Sequence, residues 1–428
     1  MSEDKAKHGP SVNTSEIKVY GRVGSTEGYE IRDFLTRTVV EFNWIDLTCE
    51  EDCHQMLGLK HFEDLRFPVV EMPDGERLFA PQLREIADRL GWVTTPRYRE
   101  YDVSIYGAGP AGLSAAVYAA SEGLRTVLIE RHAVGGQAGT SSLIENYMGF
   151  PKGISGAALA EQARQQAVKF GAELIMMGEG VEATFNDNRI HVRMADGSRM
   201  VAKSNICATG VEYRKLGLAN EHQFLGNGIF YGAGAAEAPY CHNKEVFVVG
   251  GGNSAGQAVM HFADYARKVT MLVRGGSLSE TLSDYLIGRI NEKRNVEVVT
   301  NVEVSAVDGD GVLREITVRN RLDESERKID TDRLFVCIGG VPNTDWAKDT
   351  DIIRDRVGYL ITGPDLVDRS ALPECWALER QPYYLETSVA GSFAIGDVRH
   401  NSIKRVASAV GEGAMAISFV HRYLAETH

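Results

Sequence analysis

The sequence predicts an α/β chain of three units: a small mixed α/β unit, followed by two doubly wound units, the second inserted within the first. Three observations predict it. Between Ile17 and Leu90, short apolar runs alternate with helix-period segments and glycine or proline turns, the rhythm of a small α/β sheet. At Val103 to Tyr106 an apolar run meets Gly107-Ala-Gly109-Pro110-Ala111-Gly112, and a helix-period segment, a second apolar run and an acidic end at Glu130 follow. From Glu245 the pattern returns as a strand leading into Gly250-Gly-Gly252-Asn253-Ser254-Ala255 and a further helix.

The two glycine loops read as Rossmann-type dinucleotide sites. Gly107 allows a tight turn, Gly109 lets backbone approach a pyrophosphate at the helix N-terminus, and Gly112 lets helix lie close to strand. Glu130 is placed to accept hydrogen bonds from a ribose diol. In the second loop Ala255 takes the place of the third glycine, and the next strand ends at Val273-Arg274 rather than at an acid. With a guanidinium there and no carboxylate to repel a 2′-phosphate, NADP(H) is expected over NAD(H).

Composition narrows the function classes. A chain of 428 residues is too long for one ordinary core, and 43% apolar with 25% charged residues describes a soluble globular protein. Residues 1–15 are expected to be a disordered, polar lead-in without the apolar core of a signal peptide, and no later run is long enough to span a membrane. Six cysteines, mostly isolated, argue for a reducing cytoplasm rather than a disulfide framework. A formal net charge of -13 makes nucleic acid and acidic proteins poor partners.

In chain order, the first unit, 16–93, is expected to run strand (Ile17 to Tyr20), helix (about Thr26 to Val40), strand (Glu41 to Leu47), short helix, strand (Pro68 to Glu71), turn (Pro73-Asp74-Gly75), strand (Arg77 to Phe79) and helix to Leu90. This order, with VYGRVGSTEGYEIRDFL at its head and RFPVVEMPDGERLF later, resembles glutaredoxin. That resemblance implies a C-x-x-C at a helix N-terminus, where the dipole lowers a thiol pKa, but the matching positions are Ser25, Thr26, Glu27 and Gly28. Dithiol chemistry is therefore absent there. Pro68 matches the family's cis-proline beside the thiol groove, so two readings stand: thiol binding without turnover, or a docking domain that stabilises the assembly. Cys49 and Cys53, four apart in TCEEDCH and set among acids, are expected to be structural rather than low-pKa nucleophiles or metal ligands.

A short polar linker, 94–100, leads into the first glycine loop. GAGPAG, GGQ with a downstream ENYMGFP, the ATG ending in Thr209 and Gly210, and the late GSFAIGDV together resemble the low-molecular-weight thioredoxin reductases from Tyr101 to the C-terminus. The resemblance implies FAD contacts for Gly136, Gln137, Asn146, Gly396 and Asp397, and places Lys404, Arg405 and Val406 where backbone faces the flavin pyrimidine. A helix starting there would aim its positive end at the flavin. Because FAD-type residues flank the second glycine loop, the nesting follows: FAD unit 101–216 and 335–428, NADP unit 217–334. The family's HRR motif with a further arginine matches Val273, Arg274, Gly275 and Ser279, which leaves one arginine.

The departure from that family is chemical. Its C-x-x-C followed by Asp matches Ala233, Gly234, Ala235, Ala236 and Glu237, so both thiols are alanine. Glu237 stands either as a catalytic proton donor near the flavin or as a solvated surface acid. Cys241 has no partner within the motif and reads as a small buried residue. A cysteine in the first glycine loop, as in bacillithiol disulfide reductases, is also missing at Pro110-Ala111. After Arg274, SLSETLSDYLIGRINEK is helix-like, and the Pro364 to Thr387 connection is longer than usual in the family. GGGNSAGQ, LVRG and LETSVAGSFAIGDVR also resemble a set of reductase-like flavoproteins without the dithiol. The resemblance implies an FAD-dependent oxidoreductase that takes hydride from NADPH and passes electrons to an unassigned acceptor, a small thiol or disulfide or oxygen among the candidates, and a homodimer. Two alternatives stand beside it: a thiol- or disulfide-linked flavoenzyme using the first unit to bind the thiol, and a non-catalytic redox-sensing or interaction flavoprotein.

Overall fold

The computed structural model describes residues 17–22, 25–61, 66–92, 95–141, 143–232, 237–367 and 372–427. The expected lead-in and the Ala233 to Ala236 stretch lie outside them.

The first unit is β1 (Ile17–Gly21), α1 (Thr26–Arg37), β2 (Phe42–Asp46), α2 (Glu50–Leu57), β3 (Val69–Glu71), β4 (Arg77–Phe79) and α3 (Leu83–Arg89). Its sheet runs β2-β1-β3-β4, with β1 parallel to β2 and antiparallel to β3. On α1, Ile31, Phe34 and Leu35 are buried against Ile17, Val19 and Ile86, each such side chain contributing about 1.5–3 kcal/mol. The helix ends at Arg37, short of the expected Val40. The β-branched run Thr38-Val39-Val40 resists helix, and the chain turns through Val39 at φ +55°. Cys49 and Cys53 do not share a face: Cys49 is the exposed N-cap of α2, while Cys53 points into the core. Burial first, and then the Asp52 charge, raises the Cys53 thiol above its ordinary pKa.

The second unit begins with β5 (Glu100–Tyr106), α4 (Pro110–Ser121), β6 (Thr126–Glu130), α5 (Gly156–Lys169), β7 (Glu173–Met176), β8 (Gly180–Asn186), β9 (Arg189–Met194) and β10 (Arg199–Cys207). Strands β5 and β6 are buried on both faces, which is why they read as apolar runs without alternation. The chain leaves through β11 (Val211–Tyr213).

The inserted unit contains β12 (Ile229–Tyr231), β13 (Glu245–Val249), α6 (Asn253–Ala263), β14 (Lys268–Leu272), α7 (Asp284–Glu292), β15 (Val296–Val299), then the antiparallel β16 (Val302–Gly309), β17 (Leu313–Asn320) and β18 (Glu326–Asp330), and finally β19 (Leu334–Val336). Its five-stranded parallel sheet runs β12-β19-β13-β14-β15. Only the second half of the expected helix after Arg274 forms, starting where Ser283 occupies the N-cap.

The chain returns through β20 (Gly340–Pro342), antiparallel to β11. It then adds β21 (Ser392–Ala394), parallel to β10, and ends in α8 (Val406–Thr427). The sheet of the second unit thus takes strands from before and after the insertion. None of the described helices is long and apolar enough to cross a membrane.

Candidate functional site

The first glycine loop is assembled by three segments that meet at the N-terminus of α4. Gly107 sits at φ +101°, and a Cβ there would lie 2.4 Å from the Ala208 carbonyl oxygen. A Cβ on Gly112 would lie 1.9 Å from the Gly107 carbonyl oxygen, so helix and strand touch through this glycine. Gly109 differs: its Cβ would meet nothing nearer than the Gly136 Cα at 4.0 Å. It caps α4 without a side-chain hydrogen bond, ahead of Pro110 and Ala111, so the helix N-terminus is open to an anion.

Glu130 holds this loop. Its carboxylate accepts the Ala108 N–H at 2.7 Å and the His132 N–H at 2.8 Å, and the Ala108 carbonyl in turn accepts the Gly135 N–H at 2.8 Å. The Gly135-Gly136-Gln137 turn is thereby laid over Gly109, with Gly136 at φ +52°. Gln137 Nε2 donates to the Val211 carbonyl at 3.1 Å, while its Oε1 is buried without a hydrogen-bond partner among the described residues.

The late segment arrives because β21 pairs with β10, which pairs with β5, so the Gly396 turn emerges beside Gly107. Gly396, at φ +72°, would place a Cβ 2.9 Å from that of Ala111. Glu412 of α8 locks it, accepting the Gly396 N–H at 2.7 Å and the Arg399 guanidinium at 2.5 Å. Burial raises the Asp397 carboxyl above its ordinary pKa, against the pull of Lys404. Lys404 Nζ donates to the Asp397 carbonyl at 2.6 Å, Arg405 is exposed, and Val406 is the first residue of α8. Thr209 and Asn343 bind each other reciprocally, Thr209 Oγ1 to the Asn343 carbonyl at 2.8 Å and Asn343 Nδ2 to the Thr209 carbonyl at 3.1 Å, with Gly210 at φ +63° beside them. Asn146 stands apart, exposed on the loop closed by the Ile144 and Ile154 bridge.

The second loop follows the same logic. Gly250 would place a Cβ 2.3 Å from the Cys337 carbonyl oxygen, whereas Gly252 has open space and caps α6 without a side chain. Asn253 is engaged reciprocally with Ser283, Ser254 is exposed at the helix start, and Ala255 is buried beneath it. Arg274 is exposed on the loop after β14. A second guanidinium, missed in the sequence reading, reaches this loop from the end of β17: Arg321 Nη1 donates to the Arg274 carbonyl at 3.2 Å. If the exposed Arg274 meets a nucleotide 2′-phosphate, as the sequence implies, Arg274→Ala raises KM for NADPH about tenfold or more, the value of a charge-assisted hydrogen bond, and leaves KM for NADH unchanged. Steady-state kinetics with both nucleotides checks this.

The third component is the start of α1. Ser25 caps the helix, accepting the Gly28 N–H at 3.0 Å, and Thr26 Oγ1 donates to the Leu225 carbonyl at 2.8 Å. A Cβ on Gly28 would lie 3.0 Å from the Trp44 ring and one on Gly21 would lie 2.7 Å from it and 3.5 Å from Pro68, so Trp44 fills the space between α1 and Pro68. Arg32 lies 4.6 Å above the Trp44 ring and 4.8 Å from the Tyr240 ring. Its Nη2 is 3.1 Å from Glu237 Oε1, with side-chain exposures of 1% and 2%. Glu237 is therefore not a solvated surface acid. Burial raises its carboxyl above the ordinary pKa, while Arg32 pulls it down. Cys241, beside it, is buried and pushed up to about 12 by desolvation. The sequence carried no signal for Arg32 and Trp44, whose partners come from distant parts of the chain.

The site geometry meets matching comparisons. The pyridine nucleotide-disulphide oxidoreductase family matches residues 101–413. A thioredoxin reductase from Treponema pallidum is 34% identical over 325 residues, covering 76% of this chain and 97% of that protein. One from Bacillus subtilis is 32% identical over 327 residues, covering 76% and 95%. Among solved structures, the chain is similar to the crystal structure of T. acidophilum thioredoxin reductase, with TM-score 0.67 and 29% identity over 76% of this chain and all of that one. The Lactococcus lactis enzyme in its FR conformation gives TM-score 0.68 and 26% identity over 76% and 99%.

Proposed function

The chain belongs to the thioredoxin reductase-like flavoproteins of the pyridine nucleotide-disulphide oxidoreductase family, and within it we propose an NADPH-dependent flavin oxidoreductase whose acceptor is not an internal dithiol. Members of the family are FAD-dependent NAD(P)H oxidoreductases, and so is this chain. The residues present fit both cofactors: each loop offers an uncapped helix N-terminus beside a glycine whose missing Cβ leaves room for a ligand, and Gln137 Oε1 is a buried acceptor awaiting a donor.

Gly107, Gly109, Pro110, Ala111, Gly112, Glu130, Gly136, Gln137, Thr209, Gly210, Gly396, Asp397 and the Lys404 to Val406 segment would hold FAD, with Asn146 able to join from its exposed loop. Gly250, Gly252, Asn253, Ser254, Ala255 and Arg274 would hold NADPH. When bound, FAD supplies the two-electron carrier between NADPH and the acceptor. The protein's part is positional: helix N-termini would neutralise diphosphate charge, and the start of α8 would present backbone N–H groups to the flavin.

One observation carries the choice of acceptor. The position of the relatives' acid, Glu237, is sealed under Arg32, the sequence carries alanine at 233 and 236, and Cys241, Cys207 and Cys337 are buried thiols pushed up to about 12. No thiolate is available among them to relay electrons. The first unit, which we assign a glutaredoxin-like fold over 16–93, acts as a docking domain, because Trp44 stands between α1 and Pro68 and the inserted unit meets α1 through Thr26 to Leu225 and Arg32 to Glu237. Glu237 serves that docking rather than proton transfer.

Anaerobic stopped-flow absorbance tests the reading. Mixing with NADPH is expected to bleach the flavin band rapidly, with NADH slower, and NADPH-dependent reduction of thioredoxin is expected to be absent. Normal turnover with thioredoxin would overturn the proposal, and no bleaching with either nucleotide would leave a sensing flavoprotein instead.

A further inference from the structure

Helix α1 touches more than the inserted unit. While its first turns engage Leu225 and Glu237, its last residue, Arg37, reaches the FAD unit. Arg37 Nη2 donates to the Gly136 carbonyl at 3.2 Å, within the turn that lies over Gly109. Arg37 Nη1 is 3.5 Å from Asp33 Oδ2, and Arg37 Nε is buried without a hydrogen-bond partner among the described residues. Burial raises the Asp33 carboxyl above its ordinary pKa, which weakens its claim on the guanidinium charge. A Cβ on Gly136 would lie 3.2 Å from the Gly109 Cα, so the carbonyl that Arg37 grips belongs to a residue in contact with the anion-binding loop itself.

The peptide plane makes this contact consequential. In a trans peptide the carbonyl and the next N–H point in opposite directions. Fixing the Gly136 carbonyl toward Arg37 therefore turns the Gln137 N–H to the other side of the turn. The guanidinium also lends positive charge beside the first glycine loop and the Gly136 turn over it, in a partly buried place where water screens it less.

We propose that Arg37 is a positioning residue of the FAD site, supplied by the first unit: it fixes the Gly136 to Gln137 peptide and adds cationic charge toward the FAD diphosphate. The first unit is then part of the flavin site. This rests on the reading of the Gly107 to Gly112 loop as the FAD loop.

The test is FAD binding to the full-length apoprotein, followed by flavin fluorescence at two salt concentrations, with ADP as a competing diphosphate that carries no flavin. Arg37→Gln is expected to weaken both FAD and ADP by about tenfold, the value of a lost charge-assisted hydrogen bond, and to flatten the salt dependence. Arg37→Lys is expected to recover most of the affinity, and far-UV dichroism with thermal melting shows whether each variant is folded. Wild-type affinities and salt dependence in Arg37→Gln, or an Arg37→Lys variant no better than Arg37→Gln, would overturn the proposal. Should the wild-type apoprotein itself fail to take up FAD, the loop assignment falls instead.

Discussion

Replacing Arg32 by alanine lowers the stability of the docked chain by about 3–5 kcal/mol, the cost of leaving one member of a buried ion pair without its partner. The partner left behind is Glu237, whose side chain is 2% exposed and has no other hydrogen-bond partner at Oε1 among the described residues. The Arg32→Met, Glu237→Leu double variant is expected to lose less than Arg32→Ala alone, because it removes the uncompensated charge along with its partner. The deficit of Arg32→Ala depends on pH in a defined direction. Burial already holds the Glu237 carboxyl above its ordinary value and Arg32 opposes that, so deleting Arg32 raises it further. A carboxyl whose folded pKa exceeds its unfolded value contributes its stability fully below the unfolded pKa and loses it as pH rises through the folded one. Melting temperatures of wild type and variant are therefore expected to diverge as pH is raised from about 5 to 8, past the unfolded carboxylate range. A deficit that stays constant with pH would show that Glu237 does not carry the charge.

Two glycine variants three residues apart are expected to fail for different reasons. Gly112→Ala must place its Cβ 1.9 Å from a backbone carbonyl, so helix α4 has to move away from β5. Its apoprotein is expected to melt lower, by about 1–3 kcal/mol or more of overpacking strain, and its flavin content to fall with it. Gly109→Ala meets only the Gly136 Cα at 4.0 Å, and its φ of -73° suits alanine. Its apoprotein is expected to be as stable as wild type, within about 0.5 kcal/mol, yet to purify without the flavin absorbance band. The added methyl would stand in otherwise open space over the loop, where the Gly107 to Gly112 reading puts the diphosphate. Equal flavin content in Gly109→Ala and wild type would show that the ligand does not pass over this residue.

Much of the site was legible because its determinants are local. The strand, glycine loop, helix and terminal acid from Tyr101 to Glu130 lie in one stretch, and each glycine answers a constraint visible in the backbone: φ +101° at Gly107, helix-to-strand contact at Gly112. The arrival of Gly396 beside them was legible through resemblance alone, since a parallel pairing of β21 with β10 leaves no local mark. Residues that support the site were missed for the same reason. Glu412 binds across from Arg399 on a different element, and Arg321 reaches Arg274 from the end of another strand. Helix ends moved by a few residues where β-branched or capping residues decided them, as at Thr38 and Ser283.

The sequence by itself determined the two nested dinucleotide units and the presence of alanine at 233 and 236 and of serine at 25. Those follow from residue type, periodicity and backbone freedom, which act over a few residues. Only the tertiary structure decided what the first unit touches. Whether Trp44 lies between α1 and Pro68, whether Glu237 meets water or Arg32, and whether Arg37 reaches Gly136 all depend on which faces come together after folding. Charges and aromatic rings paired across distant segments impose no period on the chain, so their meeting is set by packing and desolvation.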